Sequence, residues 1–209
     1  MLGGALSLTI NDAMAKYLTQ SYPVGQVMAL RGLSIIMLLI AFLFFMNNLK
    51  ALKIFSWKGH LLRAGAMTGS TFFFITGLSL LPITDAIAIA FVAPILTTIL
   101  GIIILREAVS WKRWVAIFVG FFGVIIILQP TSDAFKIAAI APMGAAAFGA
   151  ARDVVTRAIS GSENSLSILF TSMLMITIAG FLTYPLGWSA VKLSHIWIFI
   201  TSSLLVGLA

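Results

Sequence analysis

The chain has 209 residues, of which 61% are hydrophobic and only 9% are charged. An average soluble domain is about one quarter charged, so the lipid bilayer must be the solvent for most of this chain. The net charge of +7 does not indicate a nucleic-acid-binding protein, because the basic residues lie between hydrophobic runs rather than on one polar face. The absence of cysteine excludes disulfides, thiolate metal sites and a cysteine nucleophile.

Eight hydrophobic segments follow one another along the chain, at residues 1–18, 25–46, 61–80, 83–105, 111–128, 137–158, 166–186 and 194–209. We interpret all of them as helices, because an open strand cannot satisfy its backbone in lipid and no alternating barrel pattern is present. A spanning helix needs about 20 residues, so we expect the eighth segment to be incomplete. The sequence therefore predicts an all-α polytopic membrane protein with about eight helices.

The basic residues between the segments predict the orientation. Nine lie on one side of the predicted membrane and three on the other, with Arg31 inside a helix; the nine are Lys50, Lys53, Lys58, Arg63, Arg106, Lys112, Arg113, Arg152 and Arg157, and the three are Lys16, Lys136 and Lys192. Cytoplasmic loops carry the excess of Lys and Arg, so the first side is predicted to be cytoplasmic. The N-terminus is then also cytoplasmic.

The polar residues Asn11, Asp12 and Arg31 lie in the first two predicted helices. A carboxylate within the membrane is costly unless it faces water or a partner, which makes Asp12 a candidate for the solute pathway and for proton coupling. The alternative is an interfacial position, since Lys16 follows within two turns. Arg31 either forms a structural ion pair with Asp12 or contacts an anionic solute directly, for which its guanidinium fork is suited.

Phe74 and Pro94 are candidates of a different kind. Phe74 ends the run 72–74, in which at most one or two rings can face inward, and an inward ring can stack on a planar or cationic solute. Pro94 lies near the middle of the fourth segment, where it removes a backbone donor and predicts a kink. Such breaks supply cavity-facing backbone in transporters.

An internal repeat is visible at an offset of 141 residues. Asp12 and Lys16 match Asp153 and Arg157, and both pairs follow a lead-in rich in glycine and alanine. A boundary near Pro130 gives units at 1–130 and 131–209, with five predicted helices in the first and three in the second. Five is an odd number, so the second unit is predicted to be inverted, as in many secondary transporters. Asp153, with Arg152, is then a candidate for a gate pair or a cytoplasmic anchor.

Several motifs in order resemble the first EamA domain of the drug/metabolite transporter superfamily. They are Gly77-Leu-Ser-Leu-Leu-Pro82, Ala93-Pro94, Arg106-Glu107 with Ser110-Trp111, and Gly120-x-x-Gly123. The early Asn11, Asp12 and Lys16, followed by Arg31, are similar to bacterial members of this superfamily that carry metabolites. The resemblance is strongest over 61–130.

The resemblance implies a ten-helix carrier made of two inverted five-helix EamA repeats in the bacterial inner membrane. It implies alternating-access transport of a small organic metabolite or drug-like solute, without ATP hydrolysis. It also implies that Glu107 and Arg113 form a structural ion pair in a cytoplasmic loop. Since this chain ends in the eighth helix, an alternative is a truncated, transport-inactive fragment or subunit, and two chains associating as a homodimer is a further expectation.

The sequence gives no sign of catalysis. Its six acidic residues and two histidines are dispersed, which argues against an integral membrane enzyme. His60 and His195 have no metal-ligand spacing, and no phosphate-binding loop is present. We therefore predict no catalytic residue, no metal and no cofactor, with a small solute and the bilayer as the partners.

Overall fold

The computed structural model describes residues 2–128, 137–161 and 163–208, and their regular structure is helical throughout. The α-helices are α1 Leu2–Thr19, α2 Val24–Phe45, α3 Trp57–Leu80, α4 Ile83–Ala90, α5 Ala93–Leu105, α6 Trp111–Leu128, α7 Ile140–Ile159, α8 Ser165–Phe181 and α9 Leu193–Leu208. Short 3₁₀ helices lie at Leu49–Leu52, Ile137–Ala139 and Tyr184–Leu186. The predicted all-α fold is confirmed. The proposed unit boundary near Pro130 and the basic residue Lys136 lie outside the described residues.

Four of the described helical stretches are long and apolar enough to cross a membrane: Val24–Phe45, Ile83–Leu105, Ile137–Ile159 and Ser165–Leu186. A shorter apolar stretch follows at Leu193–Leu205. Many of the large apolar side chains on these helices are exposed, which suits a surface in contact with lipid rather than water. The chain is therefore a multi-pass membrane protein.

The fourth predicted segment is one span made of two helices. α4 ends at Ala90 and α5 begins at Ala93. Pro94 accounts for this break, because it has no backbone N–H to bond the carbonyl of Ala90 four residues earlier. The kink predicted from the sequence is thus a full interruption of the helix.

Two helix pairs, α3 with α7 and α2 with α8, pack closely along their lengths. Glycines permit the approach: a Cβ added at Gly180 on α8 would lie only 2.6 Å from the backbone N of Ala29 on α2. On the other pair, Gly69 of α3 lies against the ring of Phe148. Lipid tails are as apolar as the helices, so close van der Waals contact of this kind is what drives their association.

The helix ends form two faces of the bundle. We name as the basic face the one that carries the α2–α3, α5–α6 and α7–α8 connections. The opposite face carries the α1–α2, α3–α4 and α8–α9 connections. On the opposite face, Lys16 Nζ donates to the carbonyls of Leu78 and Leu81, the latter at 2.8 Å. A cation at the carboxyl end of α3 is favourable because that end carries unpaired carbonyls and the negative pole of the helix dipole.

Candidate solute-binding cavity

Side chains from α1, α2, α3, α7 and α8 enclose a cavity of about 280 Å³, which we name the central cavity. Much of its wall is apolar, and the polar and charged members are Asn11, Asp12, Arg31, Ser70, Thr71 and Arg152. A mainly apolar wall with a few convergent polar groups is the usual character of a small-molecule site. Three of the four charged or amide side chains come from the first two helices.

Arg31 on α2 is connected to α1 through Asn11. Its Nη2 donates to Asn11 Oδ1, and Asn11 Nδ2 donates to Asp12 Oδ1 at 3.3 Å. The Nε of Arg31 is buried and has no hydrogen-bond partner among the described residues. Leaving a buried donor unpaired costs about 1–3 kcal/mol, and a bound carboxylate would remove that cost. The connected group Asp12, Asn11 and Arg31 thus presents both signs of charge to the cavity.

Arg152 on α7 brings a second guanidinium to the central cavity, and the sequence analysis did not select it as a solute contact. Its Nε and Nη2 donate to Asp153 Oδ1 at 2.9 and 2.6 Å, and its Nη1 lies 3.4 Å from Met67 Sδ. Asp153 therefore orients Arg152 but is not itself part of the cavity wall. A charge within a predicted span is the sequence signal that identifies Arg152.

The three rings of the run 72–74 have different environments. Phe72 is 43% exposed on the outer surface. Phe73 stacks on Phe148 of α7, with centroids 5.6 Å apart and an interplanar angle of 18°. Phe74 lines the central cavity, where it offers an apolar ring to a solute. The structure therefore agrees with the expectation that at most one or two of the rings face inward.

The remaining candidates, Pro94 and Asp153, lie together in a second pocket of about 320 Å³. Thr97, Thr98, Arg113 and Arg157 also line it. The structure therefore divides the predicted site residues into two groups. Asn11, Asp12, Arg31 and Phe74 share the central cavity, whereas Pro94 and Asp153 share this second pocket between α5, α6 and α7.

Glu107 forms its ion pair with Arg157 rather than with Arg113. Glu107 Oε2 lies 3.1 Å from Arg157 Nη1, across 50 residues of sequence. Arg106, the residue after the end of α5, has a positive φ of 54° and turns the chain just before Glu107. Arg113 instead lies in the second pocket. The expected loop pairing is corrected: the acid joins two helices instead of closing its own loop.

Two buried histidines, which appeared isolated in the sequence, each have polar partners. On the basic face, His60 Nε2 lies 3.1 Å from Glu163 Oε2, although Nε2 is not aligned as a hydrogen-bond donor, and His60 Nδ1 lies 2.8 Å from Thr171 Oγ1. On the opposite face, His195 Nδ1 lies 2.8 Å from the Tyr22 hydroxyl. These partners are more than 100 residues apart in sequence, so local spacing gives no indication of them.

The electrostatics at Glu163 are those of a stabilised carboxylate. Burial raises the pKa of Glu163, but His60 and the backbone N–H groups of Phe55 and Ser56 outweigh burial and hold the pKa below its ordinary value. The Phe55 N–H donates to Oε1 at 3.0 Å, and the Ser56 N–H donates to the same oxygen. Glu163 thus fixes the chain that enters α3.

Among the described residues, no group of three or more His, Cys, Asp or Glu side chains is placed to hold a metal ion.

Comparison with known proteins identifies the family. Residues 1–129 match the model of the EamA-like transporter family. The chain belongs to this family. The match covers more than half of the chain and confirms the resemblance seen in the motifs.

The EamA chain is similar to carriers of two metabolites. It is 33% identical over 171 residues to the S-adenosylmethionine uptake transporter of Rickettsia prowazekii (strain Madrid E), covering 80% of this chain and 56% of the relative. It is 27% identical over 208 residues to the riboflavin transporter of Vibrio cholerae serotype O1, covering 95% of this chain and 67% of the relative. The chain thus spans a little over half the length of the Rickettsia relative.

A solved structure supports the fold. It superposes on this EamA chain with a TM-score of 0.73 at 16% identity, covering 96% of this chain and 72% of that chain. At this identity the likeness concerns the helical architecture alone. Together, the family and its relatives make this chain a member of a family of membrane transporters of small metabolites.

Proposed function

We propose that the chain is a secondary carrier that moves a small zwitterionic metabolite across the bacterial inner membrane by alternating access. The observation that carries this proposal is the central cavity, where Asp12, Arg31 and Arg152 meet inside an apolar wall. Charges within the membrane are expensive and persist where they bind a solute, an ion or each other. Arg31 retains a buried, unpaired donor, which supports a role toward an external acceptor.

The charge pattern favours a solute that carries an amino-acid group and a flat ring, of which S-adenosylmethionine is an example. The guanidinium of Arg31 matches a carboxylate, and the carboxylate of Asp12 matches an ammonium or sulfonium cation. The Phe74 ring is available for a planar base or for the cation itself. The S-adenosylmethionine uptake carried out by the Rickettsia relatives supports this assignment.

Riboflavin is the alternative solute, because a riboflavin transporter aligns with 95% of this chain. Riboflavin is an uncharged ring system with a polyol, so its binding would depend on Phe74 and on hydrogen bonds from Asn11, Ser70 and Thr71. It would depend little on the charges of Asp12 and Arg31. Substitutions that remove the charge of Asp12 or Arg31 should therefore weaken the transport of S-adenosylmethionine but have little effect on the transport of riboflavin.

The helix contacts support the proposed inverted repeat. α3 of the first unit packs against α7 and α8 of the second unit. In the same way, α9 of the second unit packs against α1 and α2 of the first unit. Two inverted copies of one unit produce this reciprocal packing, in which α1, α2 and α3 correspond to α7, α8 and α9. α2 and α8 are then equivalent helices that pack against each other. We propose units 1–130 and 131–209 on this basis, with the basic face and the N-terminus in the cytoplasm.

The experiment is uptake by proteoliposomes that contain the purified chain. We expect labelled S-adenosylmethionine to accumulate, unlabelled S-adenosylmethionine to compete, and riboflavin to compete poorly. Accumulation of labelled riboflavin that Arg31→Gln leaves unchanged would favour the alternative solute. Absence of flux for either solute, together with normal folding, would favour a transport-inactive subunit. Chemical cross-linking of the same preparation tests whether two chains form a homodimer.

A further inference from the structure

Two buried histidines lie near the starts of corresponding helices at the two faces of the bundle, although they are 135 residues apart in sequence. His60 is near the start of α3, and His195 is near the start of α9, helices that correspond in the proposed repeat. Their main partners are Glu163 and Tyr22, which lie in the α7–α8 and α1–α2 connections. These two partners are separated by 141 residues, the same offset that relates Asp12 to Asp153.

The backbone around the two contacts is equivalent as well. Glu163 accepts from the N–H groups of Phe55 and Ser56, which immediately precede α3. The Tyr22 hydroxyl accepts at 3.1 Å from the N–H of Lys192, which immediately precedes α9. Each partner thus holds the entry to the corresponding helix in the other unit.

Each histidine also contacts a helix beyond the connection. His60 Nδ1 faces Thr171 of α8 at 2.8 Å, and Thr171 donates its own proton to the Ser167 carbonyl, so the His60 Nδ1–H is the donor. His195 Nε2 faces the Tyr17 hydroxyl of α1 at 3.5 Å. Each cluster therefore joins three chain segments that have to separate if that face opens.

We propose that these clusters are two equivalent clasps that close the two faces of the carrier in turn. The basic-face clasp consists of His60, Glu163 and Thr171. The opposite-face clasp consists of His195, Tyr22 and Tyr17. The proposal rests on alternating access, because a face can open to the central cavity only when its clasp separates. Weakening one clasp then shifts the population toward the state that is open at that face.

The two clasps differ in strength, which biases the population toward the state that is open at one face. Glu163 accepts the Phe55 and Ser56 N–H groups with a carboxylate, whereas Tyr22 accepts the Lys192 N–H with a neutral hydroxyl. Hydrogen bonds that involve a charged group are about twice as strong as neutral ones. The opposite face is therefore the one that opens more readily when no solute is bound.

The chain has no cysteine, so one introduced thiol reports cavity access without background. Ser70→Cys places that thiol in the central cavity. A charged, membrane-impermeant thiol reagent is applied to intact cells and, separately, to inside-out vesicles. In this background Glu163→Gln should raise the labelling rate through the basic face roughly threefold to tenfold, the range expected for one lost hydrogen bond, and lower the rate through the opposite face. Tyr22→Phe should do the reverse.

Matched controls separate opening from general loosening. Lys58→Gln removes an exposed charge near the start of α3 on the basic face, and Tyr184→Phe removes another hydroxyl near the opposite face; both lie outside the clasps. Neither should change the ratio of the two labelling rates. If Glu163→Gln does not fold, His60→Gln and Glu163→Asp provide milder versions of the same change.

The proposal is overturned if Glu163→Gln and Tyr22→Phe shift the labelling ratio in the same direction, or if both leave it within the range of the controls. The measurement does not require transport. The two variants could shift the labelling ratio in opposite directions although the protein does not transport S-adenosylmethionine. That result would support the clasps and reject the proposed solute.

Discussion

Asp12 and Asp153 occupy equivalent positions in the proposed repeat but have different surroundings. Asp12 lines the central cavity beside Asn11 and belongs to the group that includes Arg31. Asp153 is bound by its neighbour Arg152, with side chains 42% and 31% exposed, and it lines the second pocket instead. We propose from this comparison that one unit supplies the direct contacts to a solute, whereas the other supplies an acid that orients a cavity arginine.

The cations one turn further along differ in a corresponding way. Lys16 donates to carbonyls at the end of α3, within the same unit. Arg157 pairs with Glu107 and so joins α7 to the end of α5. Equivalent positions in an inverted repeat thus keep their charge but change their partner. The following predictions, from the largest expected effect to the smallest, test this division of roles.

Arg31→Gln is expected to have the largest effect. It removes the guanidinium fork and leaves Asn11 without its donor, so the affinity for S-adenosylmethionine should fall about tenfold to 100-fold, as for the loss of hydrogen bonds to a charged group. Arg31→Lys keeps the charge without the fork and should give an intermediate loss. Concentration dependence of proteoliposome uptake measures both variants. An unchanged KM in Arg31→Gln would remove Arg31 from the site.

Gly180→Ala tests the interface through which α2 and α8 join the two units. Its new Cβ would lie 2.6 Å from Ala29 N, so the helices must separate, which should cost about 1–3 kcal/mol of stability. Gly65→Ala is the matched control, because nothing lies within 4 Å of a Cβ at Gly65. Thermal unfolding in detergent should show a lower midpoint for the first variant only. Equal midpoints would contradict the described packing.

Asp12→Asn and Asp153→Asn form a direct pair. We expect Asp12→Asn to weaken S-adenosylmethionine uptake about tenfold and to flatten its dependence on a proton gradient, because the carboxylate faces the solute. Asp153→Asn should change the affinity only about twofold, since it affects the solute through Arg152. The same uptake assay at two external pH values measures both. Unchanged uptake and pH dependence in Asp12→Asn would exclude proton coupling at this residue.

Acid should weaken the basic-face clasp through Glu163. Since folding lowers the pKa of this carboxyl below its ordinary value of 4.5, the carboxylate contributes stability above about that pH. The contribution is lost as the pH falls through the lower folded-state pKa, and His60 is the ionisable side chain that faces it. The ratio of Ser70→Cys labelling through the basic face to labelling through the opposite face should therefore rise below pH 4.5, and Glu163→Gln should lack that rise. The ratio is compared because acid lowers the thiolate fraction, and with it both rates, equally. The same pH response in both proteins would contradict this assignment.

Hydropathy in the sequence is sufficient to locate the helices. The eight predicted segments correspond to α1–α9 with boundaries that differ by a few residues, because about 20 apolar residues leave lipid-embedded backbone little choice but a helix. Pro94 indicates the break in the fourth segment, although not that α4 and α5 become separate helices. Local chemistry thus predicts most of the architecture.

The sequence identifies a cavity residue only where that residue is unusual by itself, as a charge inside an apolar helix is. Asp12 and Arg31 are recognisable as charges inside apolar helices, and both line the central cavity. The partners of Glu107 and His60 are 50 and 103 residues away in sequence, respectively, so their contacts depend on how helices of different units pack. From the sequence, Arg152 is a candidate for a gate pair or a cytoplasmic anchor and not for a cavity wall, since the sequence does not reveal that Asp153 turns it toward the cavity.

Equilibrium binding of labelled S-adenosylmethionine to the purified chain tests the central claim most directly. Wild-type protein, Arg31→Gln and Asp153→Asn are compared in detergent, where binding does not depend on flux. We expect saturable binding by the wild type, a loss of about tenfold or more in Arg31→Gln, and a change of about twofold in Asp153→Asn. Equal affinities for all three proteins would contradict a solute site at Arg31 in the central cavity.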